Sequence, residues 1–333
     1  MSIRKNSTLE LFKLFASYMV VFIHVTFHGK IGVAAVALAR FAVPFFFLVS
    51  GFYSYQISCE KIKKRLRNIL TLLILAVVCY NALEIAMLLR WNRNGLMALF
   101  EKFTDLSTYI KFILFNVPVN AGHVWYFWAI LYVYLIFYFV TSLHVKDNLI
   151  FTISLFLLCL NVLLGEGLSI LGIKLPIYYT RNFALTGIPF FALGLLAKKY
   201  EHKFQAIPNY VICICAIIGV LGTIISRYIL GENELYIGSL FILFATSCGF
   251  IKYKDVKHPS FLTALEGCST YIYIFHITIS SVIYIIYSIL DIDTYGSVIW
   301  ENLHPLIVCV SSTIFAYFFI KILKKLQKQP FAS

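Results

Sequence analysis

The chain has 333 residues, of which 61% are hydrophobic and 13% are charged, and its formal net charge is +13. Soluble domains are roughly 45–50% apolar and about 25% charged, and no soluble core of this size hides so much apolar surface from water. The composition excludes a soluble globular enzyme, a disordered chain and a disulfide-stabilised scaffold. It indicates an integral membrane protein whose eight cysteines, mostly in or beside apolar runs, pack as free thiols.

Ten apolar segments are candidates for membrane-spanning helices, since a span needs about 20 mostly apolar residues and must satisfy its own backbone hydrogen bonds. They are expected at residues 9–27, 33–55, 69–89, 121–141, 149–166, 183–197, 209–230, 235–250, 268–290 and 304–323. The sixth and the eighth segments are short. The sequence predicts a single all-α domain, residues 1–333, built as a bundle of about ten transmembrane helices.

The distribution of basic residues predicts the orientation of the bundle. The segments expected on the side of the N-terminus contain 18 Lys and Arg residues, and the loops on the opposite side contain seven. Short cytoplasmic loops are the ones enriched in Lys and Arg. We therefore expect a multi-pass protein of the plasma (cytoplasmic) membrane with both termini in the cytoplasm.

The first predicted span carries a stripe of polar residues. At about 100° per residue, six of them fall on one narrow helix face: Asn6, Glu10, Lys13, Ser17, His24 and His28. Such a face avoids lipid, so it either lines a cavity or forms a hydrogen-bonded seam with another helix. Lys13 and His24 are separated by roughly 16 Å along the axis, and an imidazole is suited to taking and returning a proton.

Two further charged residues are predicted to lie at about the depth of His24. Glu84 is in the third predicted span and Arg40 is in the second. A carboxylate there would orient the imidazole, and an arginine would stabilise a developing oxyanion. The alternative is an ion pair between Glu84 and Arg40 that has no part in chemistry.

Several segments, taken in order, resemble the membrane acyltransferase-3 family. In that family the first span carries Arg, ten residues and then His, and here Lys13 replaces the Arg, which keeps the charge but loses the bidentate fork. The basic run 61–67 and the segment beginning at His123 are also similar to family segments. The remaining matches lie in the second span and late in the chain: Pro44, Phe45, Phe46, Ser50, Gly51, Phe52 and His276.

The resemblance implies an O-acyltransferase that uses cytoplasmic acyl-CoA, usually acetyl-CoA, to modify a hydroxyl of a surface polysaccharide or another envelope glycan. It implies that His24 is the catalytic base or carries the acyl group, with Lys13, Glu84 and Arg40 assisting. The expected donor-binding residues are Ser50, Lys64, Arg65 and Arg67. The basic cluster is equally compatible with a topological anchor or with binding of anionic lipid.

His123 and Trp125 are the residues expected to contact the acceptor sugar, although an interfacial aromatic belt is the simpler explanation of Trp125. No bound cofactor, metal ion or nucleic acid is expected. Two other classes of function stay open at this point. One is a transporter or flippase of the same fold without catalysis, and the other is a structural partner in a polysaccharide export complex.

Overall fold

The computed structural model describes residues 6–292 and 297–328, and within these ranges the chain is helical and has no strand. The helices of the first half are α1 (Ser7–His24), α2 (Gly29–Ala39), α3 (Ala42–Phe52), α4 (Cys59–Trp91), α5 (Arg93–Thr104), α6 (Leu106–Phe115), α7 (Trp125–Ser142) and α8 (Asp147–Val162). The helices of the second half are α9 (Leu168–Ile170), α10 (Ile188–Lys199), α11 (Glu201–Ala206), α12 (Asn209–Leu230), α13 (Ile237–Lys252), α14 (Ser260–Thr263), α15 (Cys268–Ile289) and α16 (Val298–Lys328). All eight cysteines are free thiols.

Eight helical segments of the described chain are long and apolar enough to cross a membrane. They are Ser7–His24, Gly29–Phe52, Cys59–Trp91, Gly122–Ser142, Asp147–Ile170, Asn209–Leu230, Cys268–Ile289 and Val298–Leu326. They confirm the all-helical class and coincide with eight of the ten predicted spans. The other two predicted spans form shorter helices, namely the π-helical turn Phe183–Gly187 followed by the 12-residue α10, and the 16-residue α13. Ten spans, the location of the termini and the single-domain organisation stay predictions.

The two short helices lie inside the bundle. Seven of the 12 residues of α10 and ten of the 16 residues of α13 are buried, whereas only three of the 33 residues of α4 are. The long helices leave large apolar side chains exposed, for example Ile74, Phe156 and Ile229. Such surfaces suit a lipid environment, because acyl chains rather than water would cover them.

Helices α3 and α10 pack at very short range. Gly51 lies against the carbonyl group of Phe191, and Gly194 lies against the carbonyl group of Leu48, so that a Cβ atom at either glycine would clash with backbone. Small residues allow this approach between membrane helices. Gly51 therefore serves packing and does not break α3, which continues to Phe52.

The second predicted span is interrupted shortly before its proline, Pro44. Helix α2 ends at Ala39, and α3 begins at Ala42, with Arg40 and Phe41 between them. The break lies four residues before Pro44. Because a proline has no N–H for the carbonyl four residues earlier, and its ring collides with that carbonyl, the helix is interrupted at Arg40. The break places the guanidinium of Arg40 among the buried groups of the bundle.

Candidate active site

Helix α1 holds most of the predicted polar stripe. Asn6 is the N-cap, since its side chain accepts a hydrogen bond from the Leu9 N–H, and it also donates to the Phe250 carbonyl at 3.0 Å. Lys13 forms an ion pair with Glu10 at 2.8 Å. Ser17 is fully buried, and its hydroxyl bonds to the Leu14 carbonyl. The Asn6–Phe250 bond joins α1 to α13, whereas the Lys13 and Ser17 contacts lie within α1.

The stripe ends at His24, which is the last residue of α1. The prediction that His28 continues the same helix face is wrong. The chain leaves the helix at Val25, and His28 is the N-cap residue of α2. The His28 imidazole instead pairs with Glu301, and its backbone N–H donates to the Asn302 side chain at 3.2 Å.

A cavity of about 390 Å³ opens beside Lys13. Ser50 and Arg65 line it together with Lys13, so three of the predicted residues share one wall. The rest of the wall is largely apolar or aromatic and includes Tyr126 and Tyr273. We call this space the Lys13 cavity. It is large enough for an extended organic chain, and its cations would attract an anionic group.

Arg65 is held rigidly at the edge of the Lys13 cavity. One guanidinium nitrogen donates to the hydroxyls of Ser54 and Tyr134 at 2.6 and 3.0 Å, and another donates to the Tyr53 carbonyl at 2.7 Å. Lys64 and Arg67 are exposed and do not line the cavity. Among the three predicted basic donor-binding residues, Lys64, Arg65 and Arg67, only Arg65 is therefore part of the cavity wall.

A second, narrower space of about 30 Å³ lies beside His24. His24 is exposed toward it, and Arg40, Trp125, Arg181 and Glu234 form other parts of its lining. We call this space the His24 cleft. Its volume holds about one or two water molecules. The cleft therefore combines an imidazole, two guanidinium groups, a carboxylate and an indole ring around one small polar volume.

The Lys13 cavity and the His24 cleft are stacked end to end on the same helices. Helix α1 contributes Lys13 to the first and His24 to the second, and α7 contributes Tyr126 to the first and Trp125 to the second. Tyr273 of α15 lines both spaces. Its ring is 3% exposed and packs on those of Tyr126 and Phe46, with centroid separations of 5.5 and 6.3 Å. An aromatic wall therefore separates two aligned chambers.

Three histidines meet at this wall. The ring centroid of His24 lies 5.3 Å from that of His276 and 6.3 Å from that of His123, and those two are 5.9 Å apart. Nδ1 of His276 bonds to the Tyr273 carbonyl at 2.8 Å, which leaves its Nε2 without a partner among the described residues. The Tyr273 hydroxyl donates to the His123 carbonyl at 2.8 Å. Tyr273 thus fixes both of the histidines that pack against His24.

Arg40 lies in the His24 cleft, but its partners are not those considered from the sequence. Its two terminal nitrogens form ion pairs with Glu232 at 2.6 Å and with Glu234 at 2.5 Å. These two carboxylates compensate the charge of Arg40 and so do not favour the predicted role of Arg40 in stabilising an oxyanion. That role stays a prediction. The alternative of an Arg40–Glu84 ion pair is wrong.

Glu84 lies apart from the His24 cleft. It accepts a hydrogen bond from the Asn120 side chain at 2.5 Å, and Asn120 also donates to Asn81. Within residues 6–292 and 297–328, no hydrogen bond or ion pair joins Glu84 to His24. One turn earlier, the Tyr80 ring packs on His123 at 4.7 Å. Any influence of Glu84 on His24 is therefore indirect.

Trp125 and His123, the predicted acceptor residues, occupy different positions. Trp125 lines the His24 cleft, and the Arg181 guanidinium lies 5.5 Å from its ring centroid. In the part of the chain that the structure describes, no carboxylate lies within 4 Å of Arg181, in contrast to Arg40. His123 is 7% exposed and lies behind His24 rather than in the lining of the cleft.

The arrangement agrees with a comparison of the sequence with known families. The profile of the acyltransferase-3 family, described as an acyltransferase domain, matches residues 6–321. The chain belongs to the acyltransferase-3 family. The protein is therefore a multi-pass membrane acyltransferase. No curated protein and no solved structure matches the chain.

Sequence reasoning about this membrane acyltransferase did not find the partners of His24 on α15. The signal was available, because the stripe test used for α1 also works for α15. At about 100° per residue, Ser269, Tyr273, His276 and Ser280 fall within a narrow arc of the helix, although other polar residues such as Thr270, Thr278 and Ser281 lie outside that arc. All four residues of the arc are buried. Glu232 and Glu234 carried no comparable signal, because they belong to the segment between α12 and α13.

Proposed function

We propose that the protein is an O-acyltransferase that moves an acyl group, in the simplest case acetyl, from cytoplasmic acyl-CoA to a hydroxyl of an envelope glycan. In this proposal the bundle has ten spans, lies in the plasma membrane and keeps both termini in the cytoplasm. The single observation that carries the proposal is the pair of stacked chambers. One is lined by Lys13 and Arg65, the other by His24, and Tyr273 lines both.

The Lys13 cavity suits the donor. Coenzyme A carries phosphate groups at one end and a linear arm ending in the thioester at the other. Arg65 and Lys13 would hold a phosphate or the polar part of the arm through charge-assisted hydrogen bonds. The apolar wall, which includes Val49 and Leu72, would cover the arm as it reaches toward Tyr273. Lys64 and Arg67 would add long-range attraction at the cavity mouth.

His24 would perform the proton transfer, and two routes fit its position. In direct transfer, its imidazole takes the proton of the acceptor hydroxyl as the oxygen attacks the thioester carbonyl, and it returns that proton to the departing CoA thiolate. In the covalent route, the imidazole nitrogen attacks first and releases CoA as thiol, and the acceptor hydroxyl then removes the acyl group. Both routes yield an ester and free CoA thiol.

The His24 cleft suits the hydroxyl group of the acceptor, because its volume of about 30 Å³ holds one or two waters but not a whole sugar ring. Trp125 lines the cleft beside His24, so its indole would border the attacking oxygen. Arg181 is the cation in the cleft that lacks a carboxylate partner among the described residues, so it is the better candidate for stabilising the oxyanion of the tetrahedral intermediate. Arg40 with its two glutamates would instead hold the wall of the cleft in place.

The test is a transfer assay on purified protein in sealed lipid vesicles with acetyl-labelled acetyl-CoA and envelope glycan. Release of free CoA and label in the glycan, in equal amounts, is the expected result. Movement of glycan or donor across vesicles with no thioester cleavage would instead support the transporter. No turnover and no transport by well-folded protein would favour the structural partner.

A further inference from the structure

A polar cavity of about 200 Å³ adjoins the His24 cleft. Its lining comes from the π-helical turn after α8, which includes Gly165, from the segment that carries Lys174, and from the segment between α12 and α13, which carries Asn233 and Glu234. We call it the Asn233 cavity. None of the residues predicted from the sequence as site residues lines it.

The Asn233 cavity shares a wall with the site of chemistry. Glu234 lines both the cavity and the His24 cleft, and Glu232, which lines the cavity, is an ion-pair partner of Arg40. A molecule that fills the cavity would therefore contact the same carboxylates that hold Arg40 in the cleft.

Asn233 has a hydrogen-bonding group that nothing in the described chain satisfies. The residue is only 8% exposed, and its side-chain oxygen accepts a hydrogen bond from the Ser169 hydroxyl at 3.0 Å. Its side-chain nitrogen has no partner among the described residues. A buried amide N–H group without a partner is unfavourable and is rare in native proteins. The oxygen side of the amide is thus fixed, and its N–H groups are left as unsatisfied donors in the cavity wall.

The remaining lining offers complementary groups. Lys174 is exposed, and no carboxylate of the described residues lies within 4 Å of it, so its ammonium is available as a donor. Glu232 and Glu234 offer carboxylate acceptors, and apolar side chains such as Ile173 and Leu175 form another part of the wall. Donors, acceptors and apolar patches at one small site match the hydroxyl groups and C–H faces of a sugar ring.

Hydrogen bonds hold the wall of the Asn233 cavity in place. Glu166, within the π-helical turn, accepts a hydrogen bond from the Ile237 N–H at 2.7 Å and so anchors the turn to the first residue of α13. The Tyr236 hydroxyl accepts from the Asn233 backbone N–H at 3.1 Å and donates to the Gly231 carbonyl. Turns of π helix inside α-helices are often found at functional sites.

We propose that the Asn233 cavity binds the sugar unit next to the one that is acylated, and so selects an oligosaccharide over a monosaccharide as acceptor. This inference rests on the proposed function. The volume of the cavity corresponds to about seven liquid waters, enough for one sugar ring. The neighbouring unit would lie between Lys174 and Asn233, while its linked partner presents a hydroxyl to His24.

The first test measures binding without requiring catalysis. The probe is the set of di- to tetrasaccharides that mild acid releases from the surface polysaccharide of the source organism. Ile173→Cys places a thiol in the cavity wall, and Ile170→Cys places a matched thiol on an exposed residue outside it. The oligosaccharides are expected to slow maleimide alkylation at position 173 and leave position 170 unchanged. Peptide mass spectrometry reads each position separately, so the native cysteines stay.

The second test measures selection during transfer. Asn233→Leu keeps the size of the side chain and removes its amide, and Asn148→Leu is the matched control at the exposed start of α8. We expect Asn233→Leu to lower the ratio of kcat/KM for oligosaccharide to that for monosaccharide about tenfold, the equivalent of roughly one hydrogen bond. Asn148→Leu is expected to keep the wild-type ratio.

The outcomes separate the two proposals. Wild-type transfer to these oligosaccharides without protection at position 173, or with an unchanged ratio in Asn233→Leu, would overturn the cavity assignment and leave the acyltransferase function standing. Protection at position 173 without any transfer would support the cavity and count against the proposed function. Neither protection nor transfer would count against both.

Discussion

The ring of His276 lies against the ring of His24, with centroids 5.3 Å apart, although the two residues are on different helices, α15 and α1. His276 is fully buried, and its Nδ1 is engaged by the Tyr273 carbonyl. The nitrogen left over, Nε2, has no partner among the described residues. His276 is therefore placed to orient His24 without contacting either substrate directly.

The role of His24 is tested by His24→Ala. We expect the variant to fold in the membrane, because His24 faces the cleft and its loss empties space there rather than in the packed core. Transfer of labelled acetyl groups is expected to fall by about 10²–10⁴-fold or more, the usual contribution of a general acid–base. If the acyl group is carried by the imidazole, wild-type protein without acceptor traps the label. Near-normal transfer by folded His24→Ala would remove the catalytic assignment.

The positioning role of His276 is tested by comparing two amides. His276→Asn keeps a donor near the Tyr273 carbonyl and loses the group at the Nε2 position, whereas His276→Gln extends an amide toward that position. We expect the Asn variant to lower kcat by up to about 10²-fold, as misplacement of a catalytic group does, with the KM for acetyl-CoA unchanged. The Gln variant is expected to recover part of kcat. Equal kcat values for both variants would assign His276 a packing role only.

Arg65 is the basic residue whose loss is expected to weaken donor binding most. Arg65→Ala removes the charge-assisted hydrogen bonds that Arg65 is proposed to make to acetyl-CoA, roughly 1.5–3 kcal/mol each. The KM for acetyl-CoA is therefore expected to rise about tenfold or more. Arg65→Lys, which keeps the charge, is expected to lie between. The exposed residues Lys64 and Arg67 are expected to matter less when changed to alanine. Melting temperatures in detergent check that each variant is folded, and a larger effect at Lys64 than at Arg65 contradicts the prediction.

The wall at Tyr273 is expected to keep water from the thioester. Tyr273→Ala removes the ring and joins the two chambers, so acetyl-CoA hydrolysis in the absence of acceptor is expected to increase severalfold, since closed sites suppress this side reaction. Tyr273→Phe keeps the ring and loses only the bond to the His123 carbonyl, so it is expected to stay close to wild type. The measurement is release of CoA thiol without acceptor. Identical hydrolysis in all three folded proteins would show that Tyr273 does not act as a wall.

Orientation is tested by cysteine accessibility in intact cells. Glu60 and Lys30 are exposed and are expected on opposite sides of the membrane. Because of the excess of basic residues on the Glu60 side, a membrane-impermeant maleimide is expected to label Lys30→Cys in intact cells and Glu60→Cys only after permeabilisation. The reverse pattern would invert the bundle and move the donor to the other side.

The sequence was most informative where a single helix carries the signal. The stripe on α1 predicted His24 and Lys13 on one helix, because this signal depends on residues three to eleven positions apart. The partners of Arg40 lie more than 190 positions away. Such pairings depend on how helices pack and on the path of the segment between α12 and α13, which local patterns do not encode. Glu84 is a similar case. Its depth in the membrane could be predicted from its position in the span, but the helix that its side chain faces could not.

The aromatic wall has a consequence for the cell beyond catalysis. A membrane that stores energy as a gradient of ions cannot tolerate an open aqueous pore, yet acylation of an external glycan requires a carbon skeleton made inside to reach the outside. Under the proposed function, two chambers that meet at Tyr273 would satisfy both requirements, because only a small acyl group would have to pass the boundary between them. The bulky, charged CoA would stay on the cytoplasmic side. The protein would thus export chemical groups without making the membrane leaky to protons.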